Sequence, residues 1–438
     1  MKISRLPDND KTNAWNTILP PRTAKASLKK EIKADWLVIG AGFAGLAAAR
    51  RLAANRPSEK IVIVDAGVCG ENASGRNSGF AIDLPHTTSS NLDELGSARK
   101  YMQLARAAIA ELETQVNEHN IACDWNKSGK YHAAVTEEGS QSMLSPFAAE
   151  LDKLGEPYQW IEGDELGRKL GTKHFLRAIY TPGCVLMNPA ALVRGLAESL
   201  PENVELFENS PVTSVEYANG VTIKTPEGSV TAPKMILAAN GFSDQFGFAN
   251  RKFFHLALAA SLTRPLTPEE QNAYGVEKPW GLTPANGFGG ITMRYTSDHR
   301  ILIRQSIKVA MGQKFSPQRT ARIGVQHKQL FDVRFPTLPE VTMENTWVGF
   351  ICMSHNGSPM FGQVAPNVWI AACQNGIGIT KGTISGHLAA DMACGEENPL
   401  IADMESLGLP NTLPPRPLVE IGARARLNWE IWKNRREA

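Results

Sequence analysis

The chain has 438 residues, more than one hydrophobic core normally serves, so two domains are expected. Hydrophobic residues make up 42% and charged residues 21%, which fits a folded globular enzyme and excludes a disordered chain. The 46 basic and 44 acidic residues leave +2, too little to predict nucleic acid as a partner, and no 18-residue apolar run predicts a membrane span.

The first 33 residues are polar and read as an arm laid over a surface. They lack the apolar core of an export signal, so a cytoplasmic protein is expected. Residues 36–64 then read as strand, helix, strand. The sequence "WLVI" is a buried-strand run, Phe43 to Ala54 is rich in helix formers, Pro57 stops the helix, and "IVIV" is a second strand. Residues 91–119 and 137–154 carry helical patterns, with the strand-like "GKYHAAVT" between them. Another helix starts near Pro189. Hairpin strands follow with "NG" and "EG" turns, and residues 251–345 mix strands and loops. Near the end, "VWIAACQNGIGITKGTISGHLAADMACG" reads as strand, glycine turn and helix. The last 20 residues or so read as a basic amphipathic helix. The six cysteines (69, 123, 184, 352, 373 and 394) show no CxxC and no metal-ligand spacing, so reduced thiols and no metal site are expected.

Gly40-Ala41-Gly42-Phe43-Ala44-Gly45 matches GxGxxG between a strand and a helix. The first glycine serves the tight turn, the second lets backbone approach a pyrophosphate, and the third lets helix pack on strand. Asp65 closes the second strand, 20 residues after Gly45, where a carboxylate accepts from ribose hydroxyls. This predicts a dinucleotide without choosing between NAD and FAD. The loop "NASGRNSG" adds to the choice. It lies just beyond the strand ending at Asp65, and its serines, glycines and backbone N–H groups suit phosphate oxygens. A nicotinamide enzyme has no need of such a second loop.

Together with "MILAANGF" and "TWVGFICMSHNGSPMFGQVAPNVWIAACQNGIGITKG", these motifs resemble the FAD-dependent D-amino-acid oxidase/glycine oxidase superfamily, nearest its gamma-glutamylputrescine oxidoreductase-like branch. The resemblance runs from about residue 14 to the tail. It implies an α/β fold (α+β overall), a Rossmann-like FAD-binding domain with an inserted mixed β-sheet substrate domain. The FAD domain would comprise residues 34–95, 186–250 and 340–395. The substrate domain would comprise 96–185 and 251–339, with an arm at 1–33 and a tail at 396–438. The helix in that tail suits either a membrane surface or packing on the FAD domain or on a second subunit, as in a homo-oligomer. Its short apolar face favours packing.

The resemblance also implies roles. Gly40, Gly42, Phe43, Ala44, Gly45, Asp65 and Ala66 would hold the ADP half of FAD. Ser74, Gly75, Arg76, Asn77, Ser78 and Gly79 would run along the pyrophosphate and ribityl chain. Val212 would sit at the adenine, and Ala239, Asn240 and Gly241 would close over the cofactor. Gly376, Ile377, Gly378, Ile379 and Thr380 would border the flavin, with a helix N-terminus at its O2. The family's common Gly-His-Gly is Gly-Ile-Gly here. Lys381 lies one residue later than a substrate lysine in some relatives, and Arg304 stands where the near branch commonly has glycine. Cys352 is read as a buried thiol, so FAD is expected to be non-covalent. Candidates for substrate contact are Asp83, His86, Arg294, Arg304, His355 and Lys381. Arg294 and Arg304 would share a carboxylate if their strands put them on one face.

The activity implied is oxidation of the C–N bond of a small amine or amino acid by hydride transfer to flavin. The resulting imine hydrolyses, and O2 or another acceptor takes the electrons. A 2-hydroxy-acid dehydrogenase on the same fold, and a flavin-binding subunit of a larger complex, are the alternatives.

Overall fold

The structure is a computed structural model that describes residues 1–8, 10–85, 92–284 and 290–437. Its nucleotide-binding half is built on a six-stranded sheet. Strands Trp36–Ile39, Ile61–Val64, Val204–Phe207, Lys234–Leu237 and Val368–Ala372 run parallel, and Met360–Ala365 adds an antiparallel edge. The "WLVI" and "IVIV" strands are buried on both faces, as apolar runs without alternation require. One face carries helices Phe43–Asn55, Leu92–Glu118, Pro189–Glu198 and Thr380–Cys394. The other is covered by a four-stranded sheet that includes Glu31–Lys33 and Ser214–Ala218.

The second half is an eight-stranded sheet. Its strands, in spatial order, are Met343–Met353, Phe254–Thr263, Ile301–Val309, Thr292–Tyr295, Trp280–Pro284, Lys130–Ala134, Arg177–Thr181 and Gln159–Glu162. One face is a dry layer in which Tyr131, Trp280, Met293, Tyr295 and Ile303 meet Phe331 and Phe335 of helix Pro317–Arg334. The other face turns toward the nucleotide-binding half.

Two expected boundaries cut through packed units. The helix Leu92–Glu118 sends Leu104, Ala108, Leu112 and Val116 into the core shared with the glycine-motif helix, so a cut at 96 divides it from its partners. The strand Met343–Met353 pairs along its length with Phe254–Thr263, so a cut at 340 assigns it to the wrong sheet. Periodicity identifies a helix or strand but not the element that covers it, which explains both differences.

The C-terminal helix Leu418–Lys433 packs on the eight-stranded sheet, not on the FAD-binding core. Leu427 is buried and Ile431 half-buried among Leu256, Ile307, Ile351 and Met353. Beyond it, the Glu437 carboxylate accepts from the backbone N–H of Val135 at 2.7 Å and of Thr136 at 3.0 Å.

Candidate active site

The glycine motif forms a cradle at the carboxyl ends of the parallel strands. Gly45 is obligatory there: a Cβ would lie 1.7 Å from the Gly40 carbonyl oxygen. At Gly42 a Cβ would lie 2.6 Å from Ser74 Oγ, so it would fill the space between helix and loop. The helices Phe43–Asn55 and Thr380–Cys394 pack closely together, with Gly382 against Phe43 and Gly386 against Ala44. Their amino-terminal ends therefore converge, and both present positive dipole ends to one region.

The Asp65 carboxylate accepts from Ala41 N–H at 2.7 Å and Gly67 N–H at 2.8 Å. Burial pushes its pKa up, and the two N–H donors oppose the shift. Asp65 lines a groove with Gly40, Gly42, Ala66, Ser74, Arg76, Val212 and Ala239 to Gly241. The groove runs from the glycine turn past Asp65 to the strand end at residues 239–241 and is open to solvent along one side. The glycine cradle, the buried carboxylate and the paired helix ends fit FAD. Of the expected loop and strand-end residues, Ser74, Arg76, Ala239, Asn240 and Gly241 border this groove.

The loop's own arginine is a structural tie. Arg76 is buried; it donates to Glu71 O at 2.6 Å and Val348 O at 3.0 Å, and it pairs with Asp10 of the arm. Asn77 folds the loop by donating to Ser74 O at 2.7 Å and accepting from Gly79 N–H at 2.8 Å. The arm does more than lie on a surface. Ile3, Arg5, Leu6, Pro7 and Asp8 line the groove, and Asn13 donates to Gly70 O and Gly75 O at 3.1 and 3.0 Å. Polar composition alone carried no sign of this.

Near the segment expected to border the flavin, Asn240 Oδ1 accepts from Cys373 N–H at 3.0 Å, tying two strand ends together. Gly376 is exposed, Ile377 and Gly378 are half-buried, and Ile379 and Thr380 are buried at the helix start. Cys352 is buried in the core beside Cys373, and burial holds its thiol well above the usual range.

The substrate candidates separate. Arg294 and Arg304 do share one face, because Arg294 pairs with Leu302 and Thr292 with Arg304 without a register shift. Their surroundings differ. Arg294 donates to Met187 O at 2.6 Å and to Ser78 O and Gly79 O at 3.2 Å each, and its guanidinium lies 5.1 Å over the Trp15 ring. It clamps the loop through Nη1 alone; Nη2 lies 3.9 Å from the Asp124 carboxylate, and buried Nε has no partner among the described residues. Arg304 donates to Thr292 Oγ1 at 2.5 Å, and burial alone pulls its pKa down to about 10. Trp347, Ala260, Arg304 and Thr292 form one row across the sheet, and Trp347 Nε1 donates to Arg76 O at 3.0 Å. Arg304 thus stands on the face pinned to the 76–79 loop.

Asp83 is buried 3.2 Å from Arg106 and lines a second cavity with Lys127 and Glu156. His355 is exposed in a turn whose ends Asn375 holds, donating to Gly357 O at 2.9 Å. Lys381 is buried, with its amine 5.5 Å over the Tyr101 ring; burial pulls its pKa down to about 8. His86 lies outside the described residues. Tyr131, Trp280 and Tyr295 belong to the dry layer on the far face of the sheet.

Sequence reasoning passed over Lys130 and His132. Their side chains are hydrogen-bonded on the same sheet face, beside Thr283, and burial pulls the Lys130 pKa down to about 8. The only sequence signal was a lysine at alternate spacing from a histidine in "GKYHAAVT".

Residues 35–392 match the family of FAD dependent oxidoreductases abbreviated DAO. The chain is 25% identical over 402 residues to a protein named probable oxidoreductase OrdL from Haemophilus influenzae, covering 89% of this chain and 90% of that one. It is 23% identical over 388 residues to gamma-glutamylputrescine oxidoreductase from Escherichia coli, covering 84% and 86%. The fold superposes on glycine oxidase from Geobacillus kaustophilus with a TM-score of 0.72 at 20% identity, covering 87% of this chain and all of that one. Among the described residues no helix is long and apolar enough to cross a membrane. With its glycine cradle, buried Asp65 and converging helix ends, the chain belongs to the DAO family of FAD-dependent oxidoreductases, and FAD is its cofactor.

Proposed function

We propose that this enzyme oxidises the C–N bond of a small amino acid or N-substituted amino acid, with Arg304 holding the substrate carboxylate. FAD, when bound, supplies the two-electron acceptor that takes the hydride. The product imine hydrolyses to a carbonyl compound and ammonia or a smaller amine, and O2 or another acceptor removes the electrons. FAD is held without a covalent bond, since Cys352 lies in the core.

The observation that carries this reading is Arg304. A half-buried guanidinium bonded to a threonine hydroxyl retains donors for an anion, and a carboxylate suits them in a two-pronged pair. Arg294, on the same face, has Nη1 on three backbone carbonyls and already has the Asp124 carboxylate 3.9 Å from Nη2. Lys130 lies three strands from Arg304, roughly 14 Å at ordinary strand spacing, too far for one small carboxylate to bridge. Orientation of the α-hydrogen and exclusion of water are what the chain's own residues contribute.

Anaerobic bleaching of the flavin band with a panel of amino acids, their decarboxylated amines and the matching 2-hydroxy acids tests this reading. Bleaching by the amino acids, with decarboxylated amines at least about tenfold weaker, is expected. Bleaching by hydroxy acids alone would replace the reading with a hydroxy-acid dehydrogenase, and no bleaching by any would point to a subunit without its own turnover.

A further inference from the structure

The C-terminal helix Leu418–Lys433 is apolar on two sides. Val419 and Leu427 are buried against the body of the protein. On the opposite side Leu418, Ile421, Trp429 and Trp432 are 60%, 61%, 45% and 62% exposed. With Ala425, also exposed, they fall within an arc of about 80° at helical spacing. Four of the large hydrophobic side chains most exposed to solvent thus form one stripe on one helix.

Cations rim that stripe. Arg426 and Lys433 lie 5.0 and 5.3 Å over the Trp429 ring, and Arg435 lies 4.9 Å over Trp432. Arg424 and Arg436 are exposed nearby. The helix's acidic groups are turned inward. Glu420 and Glu430 are each 17% exposed and paired with Arg416 and Arg426. The segment is fixed in this orientation at its far end by Glu437, which accepts from Val135 and Thr136. The outward stripe takes no part in that anchoring.

We propose that this face is a docking surface for an anionic lipid bilayer, in which the helix lies in the plane of the membrane. Tryptophans interleaved with arginine and lysine suit the boundary between headgroups and acyl chains, where the rings bury and the cations meet lipid phosphates. A second copy of the chain fits less well. A two-fold pairing through this stripe sets the cationic rim of one copy against the same rim of the other.

Co-sedimentation of the full-length holoenzyme with vesicles tests the proposal. Binding to phosphatidylcholine containing about 30% phosphatidylglycerol, weakened by salt and much weaker with phosphatidylcholine alone, is expected. Replacing Trp429 and Trp432 together by serine should lower the partition coefficient by about tenfold or more. Reversing charge with Arg424→Glu and Lys433→Glu should remove the preference for anionic lipid. These side chains face outward, so retained flavin absorbance and amino-acid oxidation without lipid verify folding for each variant. Absence of binding to the anionic vesicles at low salt would overturn the proposal, as would binding unchanged in both variants. A dimer in sedimentation velocity that the tryptophan substitutions dissociate would assign the face to a second copy instead.

Discussion

The indole nitrogen of Trp15 donates to the carbonyl of Asn77 at 2.8 Å. The same ring meets Trp347 edge-on at 6.3 Å, and Trp347 donates to the next carbonyl back, that of Arg76. Two indoles, one from the arm and one from the eight-stranded sheet, thus hold consecutive peptides of the loop that borders the cofactor groove. Trp15→Phe keeps an aromatic ring, though a smaller one, and removes the donor. A buried hydrogen bond is worth about 1 kcal/mol, so a loss of FAD affinity of about fivefold is expected. Titrating apo-enzyme with FAD by flavin fluorescence measures it, and an unchanged dissociation constant would place the loop's rigidity elsewhere.

Arg294 and Arg304 differ in what their loss should do. Arg294→Met strands the carbonyls of Met187, Ser78 and Gly79, so FAD retention should fall while KM of the reconstituted enzyme changes little. Arg304→Met should leave FAD binding unchanged and raise KM for a carboxylated substrate by about tenfold or more. Steady-state kinetics beside FAD titration separates the two, and a KM effect confined to Arg294→Met would exchange their roles.

Lys130 carries a stability cost at neutral pH. Its amine is buried and shifted down from 10.5 to about 8; Cys184 and Asp83 nearby oppose the shift only partly. A folded pKa below the unfolded one means that folding releases a proton between those values. Stability therefore rises as pH climbs from about 8 to 10.5, and the full penalty applies below about 8. Lys130→Met should stabilise the protein at pH 7 by up to about 3 kcal/mol and flatten that rise. Denaturant unfolding at pH 7 and 10 checks it; equal loss of stability at both would mean that the amine is needed for packing.

His387 works in the opposite sense. It is bonded to Glu111 at 2.9 Å and lies 3.4 Å from Asp391, and these carboxylates raise its pKa to about 9 against the pull of burial. The contribution is fully present below about pH 6.5 and lost as pH rises through about 9. Its size is up to about 2–3 kcal/mol, and His387→Gln should abolish it. Melting temperatures from pH 6 to 9 are the measurement. A slope that persists in the variant would assign the titration to another group.

The nucleotide half was legible because its signals are local. Two apolar runs, a glycine motif between them and Asp65 at the second strand's end lie within 30 residues, and each residue type answers to a steric or hydrogen-bonding demand of that unit. The substrate face was legible only as a list of polar residues. Whether Arg294 and Arg304 share a face depends on register, and what each one meets depends on loops that arrive from residues 76–79 and 187. Lys130 went unnoticed because nothing in a short alternating run says that its polar positions face inward. The arm's contacts are invisible in the sequence for a related reason: its partners lie between about 60 and 240 residues away.

Chain order gives the arm a temporal consequence. Its first residues bond to Thr213, Val215 and Gln245, so the wall they form over the nucleotide groove cannot close until more than half of the polypeptide exists. The earliest-made segment thus waits for residues made roughly 200 positions later before it can take its place in the groove.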